Sequence, residues 1–406
     1  MISSGDALKS LAREASLMPQ EQLEEISKSD KSLYIGIPRE TEFQEHRVAL
    51  VPEAVSLLIS NGHRVIIETN AGKQAHFSDR DYSEAGAEIA YSPEKVYEAD
   101  MIFKVTPPNK QEISLMKHKQ TLFSALQLTV HPEDTLRELM KKKVTAIAWD
   151  YIKDDHGVFP IIRSMGEIAG NASVLIAAEL LSNVNKGKGL IMGGIAGVAP
   201  TEVVIIGAGT VGTFAARNAL ALGASVKVFD NSVAKLRRLQ NELGNRVFTS
   251  IIQPKVLSKH LMRADVAIGA LRAPHGRTPC VVPESMVESM KAGAVIVDIS
   301  IDQGGCFETS EVTTHERPTF MKHDVIHYCV PNIASRLSRT ASFALSNIFA
   351  PMALEIANGG GSEQLIRTQP GFRHGVYIYK GTLTSSYLGE TFHLPYKDLD
   401  LLITAF

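Results

Sequence analysis

The chain has 406 residues, 44% of them hydrophobic, and its 42 basic and 44 acidic side chains leave a formal net charge of −2. A chain well beyond roughly 300 residues usually divides into more than one domain. Such balanced charge argues against nucleic acid or an anionic membrane as a partner. The three cysteines are too few and too unevenly spaced for a disulfide framework or a zinc site, so we expect no metal.

The N-terminal extension, residues 1–33, is polar and lacks the apolar core of a signal peptide. No uncharged apolar run reaches the ~20 residues that span a bilayer. We therefore expect a cytoplasmic protein whose N-terminal segment is either a small helical extension or a frayed arm.

Short apolar runs alternate with helical patterns from Tyr34 onward. The predicted strands are 34–37, 64–68, 101–105, 121–125 and 145–149, and the predicted helices are 53–60, 81–85 and 132–141. Runs this apolar are typical of parallel strands covered by helices on both faces.

A long helix over residues 161–189 is predicted to bridge this region to a second alternating series. The second series has predicted strands at 202–206, 225–230, 246–249, 266–271, 295–299 and 325–330, followed by a helix over 341–357. The tail after the glycines at 359–361 shows no strand–helix alternation, so we expect it to pack back on the first region.

A glycine-rich turn follows the apolar run 202–206 and opens a helical pattern: Gly207-Ala208-Gly209-Thr210-Val211-Gly212. Gly207 allows the tight turn, Gly209 lets the backbone reach a diphosphate, and Gly212 lets the helix pack closely on the strand. The first N–H groups of the helix then face the phosphates. Because strand, glycines and helix occur in the required order, the sequence predicts a Rossmann-type dinucleotide site, although a glycine turn without a ligand is the alternative.

An acidic residue, Asp230, ends the next predicted strand 18 residues after Gly212. A carboxylate at about this distance accepts the ribose hydroxyls of NAD and repels the 2′-phosphate of NADP. The sequence therefore favours NAD as the cofactor.

Four further motifs connect the chain to a known family: IGIPRE at 35–40, HRVAL at 46–50, FKV at 103–105 and VDISIDQGGCFE at 297–308. With them the chain resembles alanine dehydrogenase and the NAD-binding alpha subunit of proton-translocating transhydrogenase, over residues 34 to about 385. The run 297–308 is more similar to alanine dehydrogenases, whereas PNIASR at 331–336 is closer to the transhydrogenase pattern.

The resemblance implies an α/β fold of two Rossmann-like, doubly wound parallel-sheet domains separated by a cleft. The substrate domain would comprise residues 34–160 and 339–406, and an NAD-binding domain would be inserted at 161–338. The resemblance also implies reversible NAD-dependent deamination of L-alanine to pyruvate and ammonia, a role in amino-acid catabolism, and a homohexamer.

Two basic residues are expected to bind the substrate. Arg47 suits a carboxylate because a guanidinium binds it as a bidentate fork; its alternative is a surface ion pair with Glu42 or Glu45. Lys104 follows a predicted strand, where ligands of α/β proteins gather, and the resemblance implies that it contacts the substrate carboxylate and keto oxygen. Its alternative is a strand-end lysine that reaches solvent.

Asp302 follows the apolar run 294–301, and the resemblance implies that it lies beside the nicotinamide and handles a proton or water. An aspartate that caps a turn is the alternative. Asp298 lies inside the same predicted strand, which favours a structural role, although a cofactor contact is also expected there.

Gln127 departs from the family. Alanine dehydrogenases have a histidine in the position that matches Gln127, where it acts as general acid and base. Glutamine donates a hydrogen bond to a carbonyl but does not exchange a proton near neutral pH. His131 would replace that histidine only if its loop folded inward, and Trp149-Asp150 stands where the family usually has a tyrosine–glutamate pair.

Further cofactor contacts are expected at Thr210, Val211, Met165 and Asn332. The altered pocket leaves three alternatives to alanine deamination. The chain would be a dehydrogenase for another amino acid or a saccharopine-type imine, a transhydrogenase-like NAD-binding subunit, or an NAD-binding regulator that has lost catalysis.

Overall fold

A computed structural model describes residues 32–42, 44–126, 133–244, 246–273 and 276–404. Most of the N-terminal extension and positions 127–132 therefore lie outside the described residues. Two β-sheets with flanking helices make up the described part.

The first sheet has the order β15-β14-β6-β5-β4-β1-β2-β3. Strands β1 to β6 are parallel to one another, and their order 3-2-1-4-5-6 is that of a doubly wound fold. The strands span Tyr34–Ile37, Arg64–Glu68, Glu88–Ala90, Met101–Phe103, Thr121–Ser124, Thr145–Ala148, Val376–Tyr379 and Thr382–Leu383. The last two, β14 and β15, extend it by antiparallel pairing.

The second sheet has the order β12-β13-β11-β10-β7-β8-β9, in which only the β12–β13 pairing is antiparallel. Here β7 to β13 are Glu202–Ile206, Ser225–Phe229, Phe248–Ser250, Val266–Gly269, Val295–Asp298, Thr319–Lys322 and Val325–Tyr328. Without β12 it again has the order 3-2-1-4-5-6, so the predicted fold class is confirmed.

The helices α1 to α15 span Pro52–Ser60, Asp79–Glu84, Pro93–Val96, Lys110–Leu115, Glu133–Lys141, Pro160–Leu180, Thr210–Ala221, Val233–Leu243, Pro254–Leu261, Glu284–Glu288, Ser338–Asn358, Ser362–Thr368, Pro370–Arg373, Ser386–Phe392 and Leu399–Thr404. Short 3₁₀ turns lie at Lys73–Ala75, Trp149–Tyr151, Asn183–Asn185, Ile299–Gln303 and Ile333–Leu337.

The central strands of both sheets are buried on both faces, which explains why they are continuous apolar runs. In β7, Val203 and Ile205 join one core cluster, whereas Val204 and Ile206 join the cluster on the opposite face. The residues of β4 divide between two clusters in the same way. This alternation follows from the two-residue repeat of a strand.

The long helices α6 and α11 lie beside the two sheets, and α11 packs against both α6 and α1. Helix α6 also packs closely on α7, where a Cβ on Gly170 would lie 2.4 Å from the carbonyl oxygen of Val211. One helical stretch in the described part, Ile333–Asn358, is long and apolar enough to cross a membrane, and half of its most apolar segment is buried inside the protein. A core helix meets the same criteria, so the stretch is weak support for a membrane segment.

Several predicted elements were wrong in extent. The helix predicted over 161–189 ends at Leu180, because the 3₁₀ turn Asn183–Asn185 follows it and is closed by Lys186 in a left-handed conformation. The predicted strand 246–249 begins only at Phe248. Trp149, predicted at a strand end, lies in a 3₁₀ turn.

The prediction that the tail lacks strand–helix alternation was also wrong. Its described part, up to residue 404, contains four helices and the hairpin β14–β15, and β14 pairs with β6 near the edge of the first sheet. Strands β3 and β12 were missed as well, because each has only three or four residues at a sheet edge.

Candidate active site

A cavity of about 450 Å³ lies where the carboxyl ends of the strands in both sheets meet. Its first wall comes from loops after β1, β4 and β6, and its second wall from loops after β10, β11 and β13 together with α6 and α7. Ligands of doubly wound sheets bind at this edge, where the strand order reverses. The cavity is therefore the candidate active site.

The glycine loop after β7 is shaped by close backbone contacts at two positions. Gly207 has φ +118°, and a Cβ there would lie 2.3 Å from the carbonyl oxygen of Ala270. A Cβ on Gly212 would lie 1.8 Å from the carbonyl oxygen of Gly207. Only glycine fits at these two positions.

Gly209 differs from both, because a Cβ on it would meet no atom within 4 Å. It is also the N-cap of α7, and no side chain caps that helix. The open space and the uncapped N–H groups, which begin at Thr210, suit a diphosphate at the helix N-terminus. These residues therefore fit the dinucleotide that the sequence indicates.

Asp230 is buried directly behind the glycine loop. Its carboxylate accepts hydrogen bonds from the backbone N–H groups of Ala208, at 2.8 Å, and Ser232, at 2.7 Å. The residue predicted to accept ribose hydroxyls thus also fixes the loop, and each of its oxygens retains a second lone pair for a ligand.

Arg47 lies on the first wall and forms a buried, bidentate ion pair with Glu45. Arg47 Nε and Nη2 lie 2.7 and 2.6 Å from the two carboxylate oxygens. Although burial alone would raise the pKa of Glu45, the Arg47 charge holds it below its ordinary value. The remaining nitrogen, Arg47 Nη1, contacts the Met165 sulfur at 3.4 Å, which is a weak acceptor.

Asn332 joins the two walls. Its side-chain amide donates to Glu45 at 2.8 Å, and its backbone N–H donates to Asp302 at 2.7 Å. The backbone of Asn332 is left-handed, with φ 54°, a conformation that asparagine adopts more readily than most residues. Arg47, Glu45, Asn332 and Asp302 thus form one connected network along the cavity.

Asp302 lies in the 3₁₀ turn after β11 and is open to the cavity. Desolvation by the surrounding walls raises the pKa of its carboxyl above the ordinary value, while the Asn332 N–H, Arg47 and Arg272 oppose the rise. A carboxylate with this shift is suited to proton transfer closer to neutral pH.

Asp298 has a different environment, although it lies only four residues earlier. Its carboxylate accepts hydrogen bonds from the N–H groups of Ser300 and Cys306, at 3.0 and 2.9 Å, and from the Ser310 hydroxyl, at 2.7 Å. It is buried and does not line the cavity. The oxygens of Asp298 are engaged in holding the turn that carries Asp302, which favours the structural role, and the cofactor contact at Asp298 stays a prediction.

Lys104 is fully buried, and it is not among the residues that line the cavity. Its amine lies 3.1 Å from Glu40 and 2.8 Å from Glu112. Burial alone would lower the pKa of Lys104, but the two carboxylates hold it above its ordinary value. The solvent-exposed alternative does not describe this arrangement, because the side chain is fully buried. The predicted substrate contact does not describe it either, because the amine would first have to leave the two carboxylates.

Glu40, held by Lys104, orients the cavity wall. Its carboxylate accepts hydrogen bonds from the Val105 N–H at 2.6 Å and from the Thr106 N–H and hydroxyl. Thr106 lines the cavity. Glu40 therefore connects Lys104 to the cavity wall.

Of the remaining predicted residues, Met165 and Val211 line the cavity. Gln127 and His131 lie outside the described residues. Trp149 and Asp150 also line the cavity, and they support its wall: the indole N–H donates to the Val105 carbonyl at 3.2 Å, and Asp150 accepts from the Leu126 N–H at 3.0 Å.

Sequence reasoning missed several polar residues in the cavity, among them Tyr151, Tyr387, Ser300, Gln303 and Arg272. The position of Arg272, three residues past the end of β10, was the signal that could have identified it, because that strand neighbours β7 at the reversal of strand order.

The three cysteines, Cys280, Cys306 and Cys329, are all free thiols. Elsewhere, a ring nitrogen of His323 lies within 4.8 Å of carboxylate oxygens of Glu284 and Glu288. Lys322 also binds Glu284, at 3.0 Å, and its positive charge opposes a metal ion there.

Comparisons with known proteins decide the family. The profile described as "Alanine dehydrogenase/PNT, N-terminal domain" matches residues 36–169, and the corresponding C-terminal domain matches residues 173–386. The chain belongs to the alanine dehydrogenase/PNT family. Alanine dehydrogenase 2 of Staphylococcus aureus (strain USA300) is 40% identical over 367 residues, which cover 90% of this chain and 98% of the relative.

Solved structures agree with membership of the alanine dehydrogenase/PNT family. An L-alanine dehydrogenase superposes with a TM-score of 0.84 and 36% identity, covering 89% of this chain and 99% of its own. A transhydrogenase from Sinorhizobium meliloti superposes with a TM-score of 0.75, covering 87% and 99%, and its 23% identity supports the fold alone.

Proposed function

We propose that the protein catalyses the reversible, NAD-dependent oxidative deamination of L-alanine to pyruvate and ammonia. The observation that carries this proposal is the network of Arg47, Glu45, Asn332 and Asp302 along a cavity that adjoins a dinucleotide loop. The named relatives, alanine dehydrogenase 2 and L-alanine dehydrogenase, support alanine as the substrate.

NAD, when bound, supplies the nicotinamide that accepts a hydride from the α-carbon of the substrate. Gly207, Gly209, Thr210 and Gly212 would hold its diphosphate at the N-terminus of α7. Asp230 would accept the ribose hydroxyls, while Val211, Met165 and Asn332 would contact the rest of the cofactor from the cavity.

Arg47 binds the substrate carboxylate in this proposal. The Glu45 carboxylate engages Nε and Nη2, and this fixes the guanidinium, while the partner of Nη1 among the described residues is the Met165 thioether. That nitrogen is a donor available to a substrate oxygen. Lys104 is a positioning residue, which acts on Thr106 through Glu40.

Asp302 exchanges the proton that the amine or attacking water releases. Its raised pKa favours proton uptake at a higher pH than that of an ordinary aspartate. Its bond to the Asn332 N–H keeps it oriented toward the cavity. Gln127 would donate a hydrogen bond to the substrate oxygen without exchanging a proton.

The domain assignment is part of the same proposal. Residues 34–160 and 339–406 form the substrate domain, and residues 161–338 form the NAD-binding domain. The pairing of β14 with β6 supports the return of the chain to the first domain. We also propose a homohexamer located in the cytoplasm, in line with the family resemblance and three free thiols.

The decisive experiment follows NADH absorbance with purified full-length protein. L-alanine with NAD, and pyruvate plus ammonia with NADH, should both react. A panel of other amino acids tests for a different dehydrogenase. Absence of turnover throughout the panel, with NAD binding retained, would contradict the proposal and favour a regulator that has lost catalysis.

A further inference from the structure

Among the residues that the structure describes, two basic side chains line the cavity, and they differ in their partners. The guanidinium of Arg47 is neutralised by Glu45 at 2.6 Å. Arg272 is exposed in the cavity, and no residue in the described ranges forms an ion pair with it. The cavity therefore contains a cationic group that the proposed reaction with alanine does not use.

The backbone on either side of Arg272 is fixed by the turn that carries Asp302. The Leu271 N–H donates to the Ser300 hydroxyl at 3.0 Å. The Gln303 side chain accepts from the Ala273 N–H at 3.0 Å and donates to the Ala273 carbonyl at 3.3 Å. Because Ser300 and Gln303 flank Asp302, Arg272 has a defined position relative to that carboxylate.

Arg272 lines the same cavity as Tyr151 and Asp302. Burial raises the pKa of Tyr151 to about 12, with Asp150 adding to the rise and Arg272 opposing it. Arg272 similarly opposes the desolvation that raises the pKa of Asp302. Its charge thus reaches groups on both walls, Tyr151 on the first and Asp302 on the second.

We propose that Arg272 determines substrate specificity by binding a second anionic group, so that the enzyme also accepts amino acids with an acidic side chain. A guanidinium binds a carboxylate as a bidentate fork. In this arrangement Arg47 holds the α-carboxylate and Arg272 holds the side-chain carboxylate of a 2-amino dicarboxylic acid. The inference rests on the proposed function, which supplies the reacting α-carbon.

The test compares Arg272→Gln with a matched control, Arg277→Gln. Arg277 lies on the same loop but outside the cavity, and its guanidinium contacts the Gly304 carbonyl at 3.4 Å. For each protein, kcat/KM is measured with L-alanine, L-aspartate and L-glutamate. We expect the wild type to oxidise at least one acidic amino acid. Arg272→Gln should lower the acidic-to-alanine ratio of kcat/KM by about tenfold to a hundredfold, and Arg277→Gln should preserve it.

A binding measurement separates failure of this inference from failure of the proposed function. Calorimetry with NADH-saturated protein should show tighter binding of 2-oxoglutarate than of pyruvate, and Arg272→Gln should remove that difference. This result would support Arg272 even if alanine is not turned over. Turnover of alanine together with equal binding of both oxo acids would overturn the inference and leave the proposed function intact.

Two other outcomes would also overturn the inference. An equal loss of affinity for pyruvate and 2-oxoglutarate in Arg272→Gln would assign the guanidinium to the α-carboxylate. A weaker NAD Kd with an unchanged ratio of the two oxo acids would assign it to the cofactor. Thermal unfolding of both variants verifies that the fold is retained.

Discussion

The two walls of the cavity prepare it for ligands in different ways. The second wall has an uncapped helix N-terminus at Gly209 and a carboxylate, Asp302, that is open to the cavity. The first wall has charged groups that already pair with each other, Arg47 with Glu45 and Lys104 with Glu40 and Glu112. The cofactor side is therefore formed mainly by the backbone, whereas the substrate side depends on buried ion pairs.

Asp302 and Asp298 provide the strongest test of this comparison, because one faces the cavity and the other is enclosed. We expect Asp302→Asn to lower kcat for alanine by about 10²–10⁴-fold, as removal of a proton-transfer group does. The ionised carboxylate is lost as the pH falls through its raised pKa. The acid limb of kcat/KM in the wild type should thus lie above the ordinary carboxyl value of about 4, and the variant should lack it.

Asp298→Asn is the matched control. It places an amide where the carboxylate accepts hydrogen bonds from Ser300, Cys306 and Ser310. We expect a loss of stability of about 1–3 kcal/mol, seen as a lower Tm. If Asp302→Asn kept the acid limb of kcat/KM, Asp302 would not be the proton-transfer group. If Asp298→Asn left the Tm unchanged, Asp298 would not have the structural role assigned to it.

Lys104→Met tests the first wall. The substitution leaves Glu40 and Glu112 buried without a cation, and removing one partner of a buried ion pair typically costs about 3–5 kcal/mol. Urea unfolding should show this loss. Lys110→Met, which removes a fully exposed pair with Asp134, should change the unfolding curve little. Unchanged stability in Lys104→Met together with a raised KM for alanine would instead favour direct substrate binding by Lys104.

The contrast between the walls also explains why some features of the site could be predicted from the sequence and others could not. The glycine loop and most parallel strands are local patterns, since the order of strand, glycines and helix within residues 202–221 determines them. The pairing of Lys104 with Glu40 is not local, because the two residues lie 64 positions apart in the chain. The structural role of Asp298 depends on donors such as Ser310, whose position becomes known only when the loop is folded.

Gly209→Ala and Gly212→Ala separate ligand binding from folding on the second wall. The Gly209 Cβ would enter open space, so the fold should be retained while the NAD Kd rises by about tenfold to a hundredfold. The Gly212 Cβ would clash with the Gly207 carbonyl, so this variant should have a lower Tm. Titration of both proteins with NAD measures the difference. Equal NAD affinity in Gly209→Ala and the wild type would place the diphosphate elsewhere.

Asp230→Asn has the smallest expected effect and tests why the second wall prefers NAD. The variant keeps the shape of the side chain but removes the charge that repels a 2′-phosphate. We expect the ratio of kcat/KM for NAD over NADP to fall about tenfold. Asp265→Asn is the control, because its carboxylate also accepts a backbone bond, from the Glu202 N–H at 3.0 Å, but at the opposite end of β7. An unchanged ratio in Asp230→Asn would mean that this carboxylate only stabilises the glycine loop, through its hydrogen bonds from the Ala208 and Ser232 N–H groups. In that case the preference for NAD would have to come from the shape of the pocket rather than from its charge.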